Sequence, residues 1–166
     1  LDTEKAKMRL VVEKPFGYDL KSAKKLKKSL YKYFKEDQFY LLDHYLGKEA
    51  VTNLLSLRYA NSILTTLLNR NFVSNIQISA MESRDIEGRA NYFDHVGNLR
   101  DMVQSHLLQI IAFLTMNLPK DSIESLHYEK KKLLKSLRVL DHKNIVRGQY
   151  NDYLKEDGVA KNSTTE

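Results

Sequence analysis

Between Asp43 and Lys48 the chain sets a carboxylate, an imidazole, a phenol and an ammonium close together: Asp43, His44, Tyr45 and Lys48. They follow a short apolar run, Phe39 to Leu42, and Gly47 stands just before the ammonium, where a turn into a helix has use for a residue without a side chain. Strand, polar cluster, glycine, helix is the layout that brings ligand-binding groups to the carboxyl end of a strand in an open α/β sheet. An ordinary strand-to-helix loop with solvated polar residues has the same pattern, and spacing alone leaves both readings open. Other chemistry-bearing residues are Lys14, aimed by the extended bias that Pro15 imposes on it, and Glu82, a carboxylate directly after a predicted strand. His106 lies on the apolar stripe of a predicted helix, where a histidine is either a satisfied core residue or a working group. Asp101 is five residues earlier, about 140° round an α-helix, so α-helical spacing does not pair the two. A carboxylate partner for His106 must then come from elsewhere.

The elements that must position these groups follow from periodicity. Arg9 to Glu13 reads as a strand stopped by Pro15 and Gly17. Asp19 caps a helix whose apolar positions are Leu20, Ala23, Leu26, Leu30, Tyr33 and Phe34, with lysines on the other face. Gln38 to Leu42 is the second strand, so the opening of the chain is a right-handed β-α-β unit with parallel strands, and Lys14 and Asp43 share its carboxyl edge. Val51, Leu54, Leu55 and Arg58 with Tyr59 mark one stripe of a further helix, and residues 60–62 cap a short helix to Leu68. Phe72 to Ala80 alternates like a half-buried strand. Glu87-Gly88-Arg89 reads as loop, with Tyr92, Phe93 and Val96 as anchors. One long helix is predicted from Leu99 to Asn117, then, beyond Pro119, a basic helix capped by Asp121 or Ser122. Asn144 to Tyr150 reads as a strand and residues 151–166 as loop.

The 166 residues fit one domain or pieces of two, and 42% hydrophobic with 29% charged residues is a globular composition. No apolar run reaches membrane-spanning length, and no cysteine is present, which excludes disulfides, thiolate metal sites and cysteine nucleophiles. The five histidines show no metal-ligand spacing, so no metal is expected. No P-loop, dinucleotide-binding glycine motif or nucleophile elbow occurs. The net charge of +6 comes mostly from seven lysines between Lys21 and Lys35 and five basic residues between Lys130 and Arg138. These read as solvated helix faces rather than a nucleic-acid surface, lacking the aromatic interleaving that base stacking needs. The charged start without an initiator methionine reads as a cut into a longer protein, and a cytoplasmic location is expected.

Three segments carry a resemblance. Glu13-Lys14-Pro15-Phe16-Gly17, then Asp43 to Glu49 (DHYLGKE), then Arg100 to Gln109 (RDMVQSHLLQ) resemble the signature segments of glucose-6-phosphate dehydrogenases, in order and at similar spacing. Arg58-Tyr59-Ala60-Asn61, Asn69-Arg70-Asn71, Glu87-Gly88-Arg89 and Arg147-Gly148-Gln149-Tyr150 support it. The resemblance implies an α/β fold: the end of a Rossmann-type parallel sheet over residues 1–46, followed by part of an α+β substrate domain over residues 47–166. It implies oxidation of the C1 hydroxyl of glucose 6-phosphate, with hydride transfer to NADP. It implies that His106 is the general base and that Asp43 orients it. His44, Tyr45 and Lys48 would hold the phosphate, and Glu82 and Asp101 the sugar hydroxyls. Lys14 would reach sugar and cofactor, with Pro15 in the inter-domain hinge. A homodimer or homotetramer is expected of the full-length protein, with no nucleic-acid or membrane partner. The isolated chain, lacking most of the cofactor site, is expected to be inactive. A truncated or inactive relative serving as an interaction module is the alternative, and a basic nucleic-acid-binding domain is a further one. Departures from the pattern are Ala90-Asn91 after Gly88-Arg89, where the family has glycines, and the threonines and leucines of residues 64–68, where it has proline and tryptophan.

Overall fold

A computed structural model describes residues 8–120 and 122–165 of the chain. Residues 1–7 and Asp121, one of the two candidate caps, lie outside the described residues. The chain divides into two compact units between His44 and Tyr45.

The first unit is the expected β-α-β element. Strands β1 (Leu10–Val12) and β2 (Phe39–Leu41) pair in parallel, with Leu10 opposite Phe39, Val11 opposite Tyr40 and Val12 opposite Leu41. Helix α1 (Leu20–Leu30) crosses between them. Asp19 caps it as predicted: its Oδ1 accepts from the Ser22 amide at 2.6 Å, while the Ser22 hydroxyl accepts from the Asp19 amide at 3.0 Å. Gly17 cannot be replaced cheaply. Its φ is +75°, and a Cβ would lie 2.6 Å from the Ala23 amide nitrogen. Phe39 holds the unit together from β2, with ring centroids 5.6 Å from Phe16 and 6.2 Å from Tyr31. The Lys14–Pro15 peptide bond is cis.

The second unit is helical. Helices α2 (Glu49–Ala60), α3 (Ser62–Leu67) and α4 (Ala90–Val96) lead to a π-helix over Leu99–Leu107. The π-helix continues without a break into α5 (Leu108–Thr115), and α6 (Ile123–Ser136) follows, capped by Ser122, whose Oγ accepts from the Ser125 amide at 3.1 Å. The first core is Val51, Phe113 and Met116, flanked by Leu46, Leu54, Leu55, Ile110, Leu126 and Leu133. The α2 stripe read from the sequence is therefore the face that packs. Arg58, at its far end, is 5% exposed. Its Nη1 donates to the Phe113 carbonyl at 2.7 Å and its Nη2 to the Met116 carbonyl at 2.8 Å, capping the C-terminal end of α5, where helix carbonyls have no partner of their own. Burial pulls the Arg58 guanidinium below its ordinary value, yet arginine remains a cation at any working pH. Tyr59 adds a hydrogen bond to the Pro119 carbonyl, and Thr65 Oγ1 donates to the Arg58 carbonyl at 2.6 Å.

A second core gathers Ile86, Ala90 and Tyr153, with Phe93 and Val159 against them. Ala90, a departure from the family's glycine, is 1% exposed and opens α4, so its methyl fills the core. Asp94, on the same helix, fastens the end of the chain. It accepts from the Tyr153 hydroxyl at 2.9 Å, the Ala160 amide at 3.2 Å and the Ser163 hydroxyl, while its own carbonyl accepts from Thr165 Oγ1 at 2.6 Å. The loop expected over residues 151–166 is thus largely tied down, and includes a 3-10 turn at Tyr153–Lys155.

Two expected strands are absent. Residues 72–80 and 144–150 form no ladder among the described residues, whose sheet contains β1 and β2. Alternation marks a chain fit for a sheet but supplies no neighbouring backbone to bond to, and Ile76 and Val146 stay exposed. Tyr92, Phe93 and Val96, expected to anchor the loop at Glu87–Arg89, lie on α4, and Phe93 packs against the second core.

Replacing Arg58 by methionine keeps the apolar stem and strands two buried carbonyls, at about 1–3 kcal/mol each. Arg58→Met is expected to lower unfolding free energy by about 2–4 kcal/mol in denaturant titrations, and Arg58→Lys by less; unchanged midpoints would refute the clamp. The tail contacts also set a pH window. The Ser163 hydroxyl, with the Ala160 amide and Tyr153 behind it, holds the Asp94 carboxyl below its ordinary 3.8. Burial, then the Asp94 carboxylate, pushes the Tyr153 phenol up to about 12. A depressed acid stabilises above its unfolded value and ceases to as pH falls through the folded one; a raised phenol stabilises below 10.0 and ceases to as pH rises through about 12. Limited proteolysis of residues 150–165 should be slow between those limits and accelerate beyond both, whereas flat susceptibility across the range would discount the network.

Candidate functional site

Three candidate residues of the second unit, Tyr45, Lys48 and His106, meet around one aromatic ring. Tyr45 lies in the turn that precedes α2, and its ring stacks on the His106 imidazole with centroids 3.9 Å apart and planes 15° from parallel. The Lys48 ammonium stands 3.9 Å from the centroid of the same Tyr45 ring. Lys48 is the N-cap residue of α2, and its amide donates to the Tyr45 carbonyl at 3.1 Å, so the turn fixes phenol and ammonium in one short loop. The electron-rich ring face is a natural seat for the cation, and stacking holds the imidazole plane at a set tilt. Lys48 and its neighbours are exposed, whereas His106 is 1% exposed. A buried imidazole beside an exposed cation suits a ligand with an anionic end outside and a reacting hydroxyl within.

The π-helix changes how the second half of the site is read. The wider winding of a π-helix brings Asp101 and His106 toward the same side of the helix, where α-helical geometry turns them about 140° apart. Within this segment the Ser105 hydroxyl donates to the Asp101 carbonyl. Gly97 sets the entry to this segment. It ends α4 at φ 75° and ψ 161°, a conformation open essentially to glycine, and its carbonyl accepts from the Asp101 amide at 3.0 Å. The Tyr92 hydroxyl, from α4, approaches Asp101 Oδ1 at 3.5 Å. Burial first, and the Asp101 charge second, push the Tyr92 phenol above its ordinary value.

The remaining candidates stand as follows. Lys14 and Pro15 come one residue beyond β1, after Glu13, Lys14 half-buried and Pro15 exposed. Asp43, half-buried, and His44, exposed, close the first unit just beyond β2. Glu82 is exposed on a stretch without regular secondary structure. Sequence reasoning missed two supports, the Arg58 clamp and the Tyr92 approach to Asp101. The first had a signal, an arginine on an otherwise apolar stripe.

No helix of the described residues is long and apolar enough to cross a membrane. The family model described as glucose-6-phosphate dehydrogenase, NAD binding domain, matches residues 1–53, and that of the C-terminal domain matches residues 55–166. The chain is 46% identical to the glucose-6-phosphate 1-dehydrogenase of Buchnera aphidicola subsp. Acyrthosiphon pisum and 44% identical to that of Bacillus subtilis. Each match covers 95% of this chain and 35% of the relative, so the chain spans about a third of the length of these curated relatives. Among solved structures it is similar to glucose-6-phosphate 1-dehydrogenase from Mycobacterium avium, with a TM-score of 0.87 and 43% identity over 95% of this chain and 36% of that one. It is also similar to a glucose-6-phosphate dehydrogenase in complex with its substrate glucose-6-phosphate, with a TM-score of 0.86 and 42% identity over 95% and 34%.

The Tyr45 ring carries two contacts that a substitution can separate from its hydroxyl. Tyr45→Phe retains both and should leave stability nearly unchanged, while Tyr45→Ala should cost about 1–2 kcal/mol in denaturant unfolding. Equal stability of the two variants would mean that the ring contacts contribute nothing.

Proposed function

Because the chain belongs to the glucose-6-phosphate dehydrogenase family, we propose that the protein oxidises the C1 hydroxyl of glucose 6-phosphate to the lactone, with NADP as hydride acceptor. In this reading residues 1–46 are the C-terminal part of the dinucleotide-binding domain, and residues 47–166 open the substrate domain. The full-length protein works in the cytoplasm as a homodimer or homotetramer. The observation that carries the proposal is the stack of the buried His106 on Tyr45, with Lys48 on the same ring. Three residues that the family pattern assigns to proton removal and phosphate binding are thereby neighbours.

Each side chain then has a task. His106 takes the proton from the C1 hydroxyl, work for which an imidazole is suited near neutral pH. Asp43 orients His106 and stabilises the imidazolium as it forms. His44, Tyr45 and Lys48 donate to the phosphate, and the ammonium supplies the counter-charge. Glu82 and Asp101 accept from ring hydroxyls and so fix which carbon faces His106. Burial of His106 keeps water from competing for the proton.

The residues present fit a dinucleotide. Lys14 and Pro15 leave β1 at the carboxyl end of a parallel pair, the edge at which α/β sheets bind such cofactors, and the match of the NAD-binding family model supports a nucleotide there. When bound, the cofactor takes up the hydride from C1. Lys14 reaches toward both sugar and nucleotide, and Pro15 stiffens the backbone beside it.

In the full-length protein, His106→Asn should lower kcat by about 10²–10⁴-fold while the KM for glucose 6-phosphate stays close to that of the parent. Near-normal turnover would remove His106 as base. Adding Asp43→Asn to that variant should cost nothing further, because residues acting as a unit are not additive; a further large loss would assign Asp43 a separate role.

A further inference from the structure

Tyr92 has no part in the roles set out above, yet its hydroxyl is the group on α4 that faces the Asp101 carboxylate. We propose that Tyr92 is a positioning residue: it holds Asp101 at the angle from which that carboxylate selects the sugar's orientation over His106. The inference rests on the reading of Asp101 as a sugar-hydroxyl acceptor.

Three constraints converge on Asp101. Its amide is bound to the Gly97 carbonyl, its carbonyl receives the Ser105 hydroxyl, and its Oδ1 lies 3.5 Å from the Tyr92 hydroxyl. The first two fix the main chain; Tyr92 reaches the side chain. Both residues are half-buried, where a phenol that stays protonated can act only as a donor toward a carboxylate. At 3.5 Å the contact is long, and hydrogen bonds that matter in turnover commonly tighten once substrate is bound. The π-register then matters doubly. With positions 101 and 106 brought toward one side of the helix, a carboxylate turned by Tyr92 can meet the same sugar ring as the imidazole. Tyr92 comes from a helix that the Asp94 contacts tie to the end of the chain, which gives the phenol a fixed base.

The test is a double-mutant cycle in the full-length enzyme, reading kcat and KM for glucose 6-phosphate. Tyr92→Phe removes only the hydroxyl and should raise KM about fivefold with kcat within about twofold. Asp101→Asn should raise KM more. In the Asp101→Asn background Tyr92→Phe should have no further effect on KM, because the group it orients is already altered. Additive losses, or a thermal midpoint that falls in proportion to activity, would make Tyr92 structural and overturn the proposal. If Tyr92→Phe alone leaves KM unchanged while Asp101→Asn raises it, the positioning role fails and the reading of Asp101 stands. If Asp101→Asn itself leaves KM unchanged, the sugar-binding reading fails first and takes this inference with it.

Discussion

The grip of Arg58 on the end of α5 is the constraint from which the geometry of the second unit follows. Two carbonyls at a helix terminus and one guanidinium fork are complementary in shape and charge, and all three are shielded from water. Leaving any one of them unpaired would cost more than the contact contributes, so α2 and α5 cannot slide along each other. At their other ends, Tyr45 before α2 stacks on His106 before α5. The two helices therefore run in the same sense, pinned by an arginine at one end and by an aromatic stack at the other. Val51, Phe113 and Met116 fill the space between. A buried imidazole in this frame has little freedom to tilt, a restraint that the role proposed for His106 calls for.

The second core does for α4 what the clamp does for α5. Asp94 collects donors from Tyr153, Ala160 and Ser163, and Tyr153 fills the core beside Ile86 and Ala90. Gly97 then turns the chain into the π-helix within a single residue. The result is a short, well-anchored lead into the segment that carries Asp101 and His106. A loosely wound helix is held at both ends by tighter structure, and the looser winding is what puts two residues five apart on one side.

Much of the local structure was legible. The Asp19 cap depends on a partner three residues away, while the β-α-β unit and the α2 stripe announce themselves by short periodic patterns even though their packing partners are distant. Ser122 was one of two candidates for its cap and is the one observed. The predicted strands at 72–80 and 144–150 failed for the opposite reason: alternation is local, but a ladder needs another backbone, and none lies beside them among the described residues. The π-register is illegible in the sequence because nothing in Leu99 to Leu107 breaks the apolar pattern of an ordinary helix.

For the site, the sequence by itself determined the chemical inventory: which carboxylates, imidazoles and ammonium groups are present, that Tyr45 and Lys48 share one turn, and which family pattern they follow. Side-chain chemistry is written in the residue types, and a turn of four residues leaves few ways to arrange them. Tertiary structure alone decided that Tyr45 lies flat against His106, that Tyr92 turns toward Asp101, and that Arg58 ends α5. The partners of Arg58 are backbone carbonyls, which every residue possesses, so no side-chain pattern can name them. Only the packing of α2 on α5 chooses which two carbonyls the guanidinium meets.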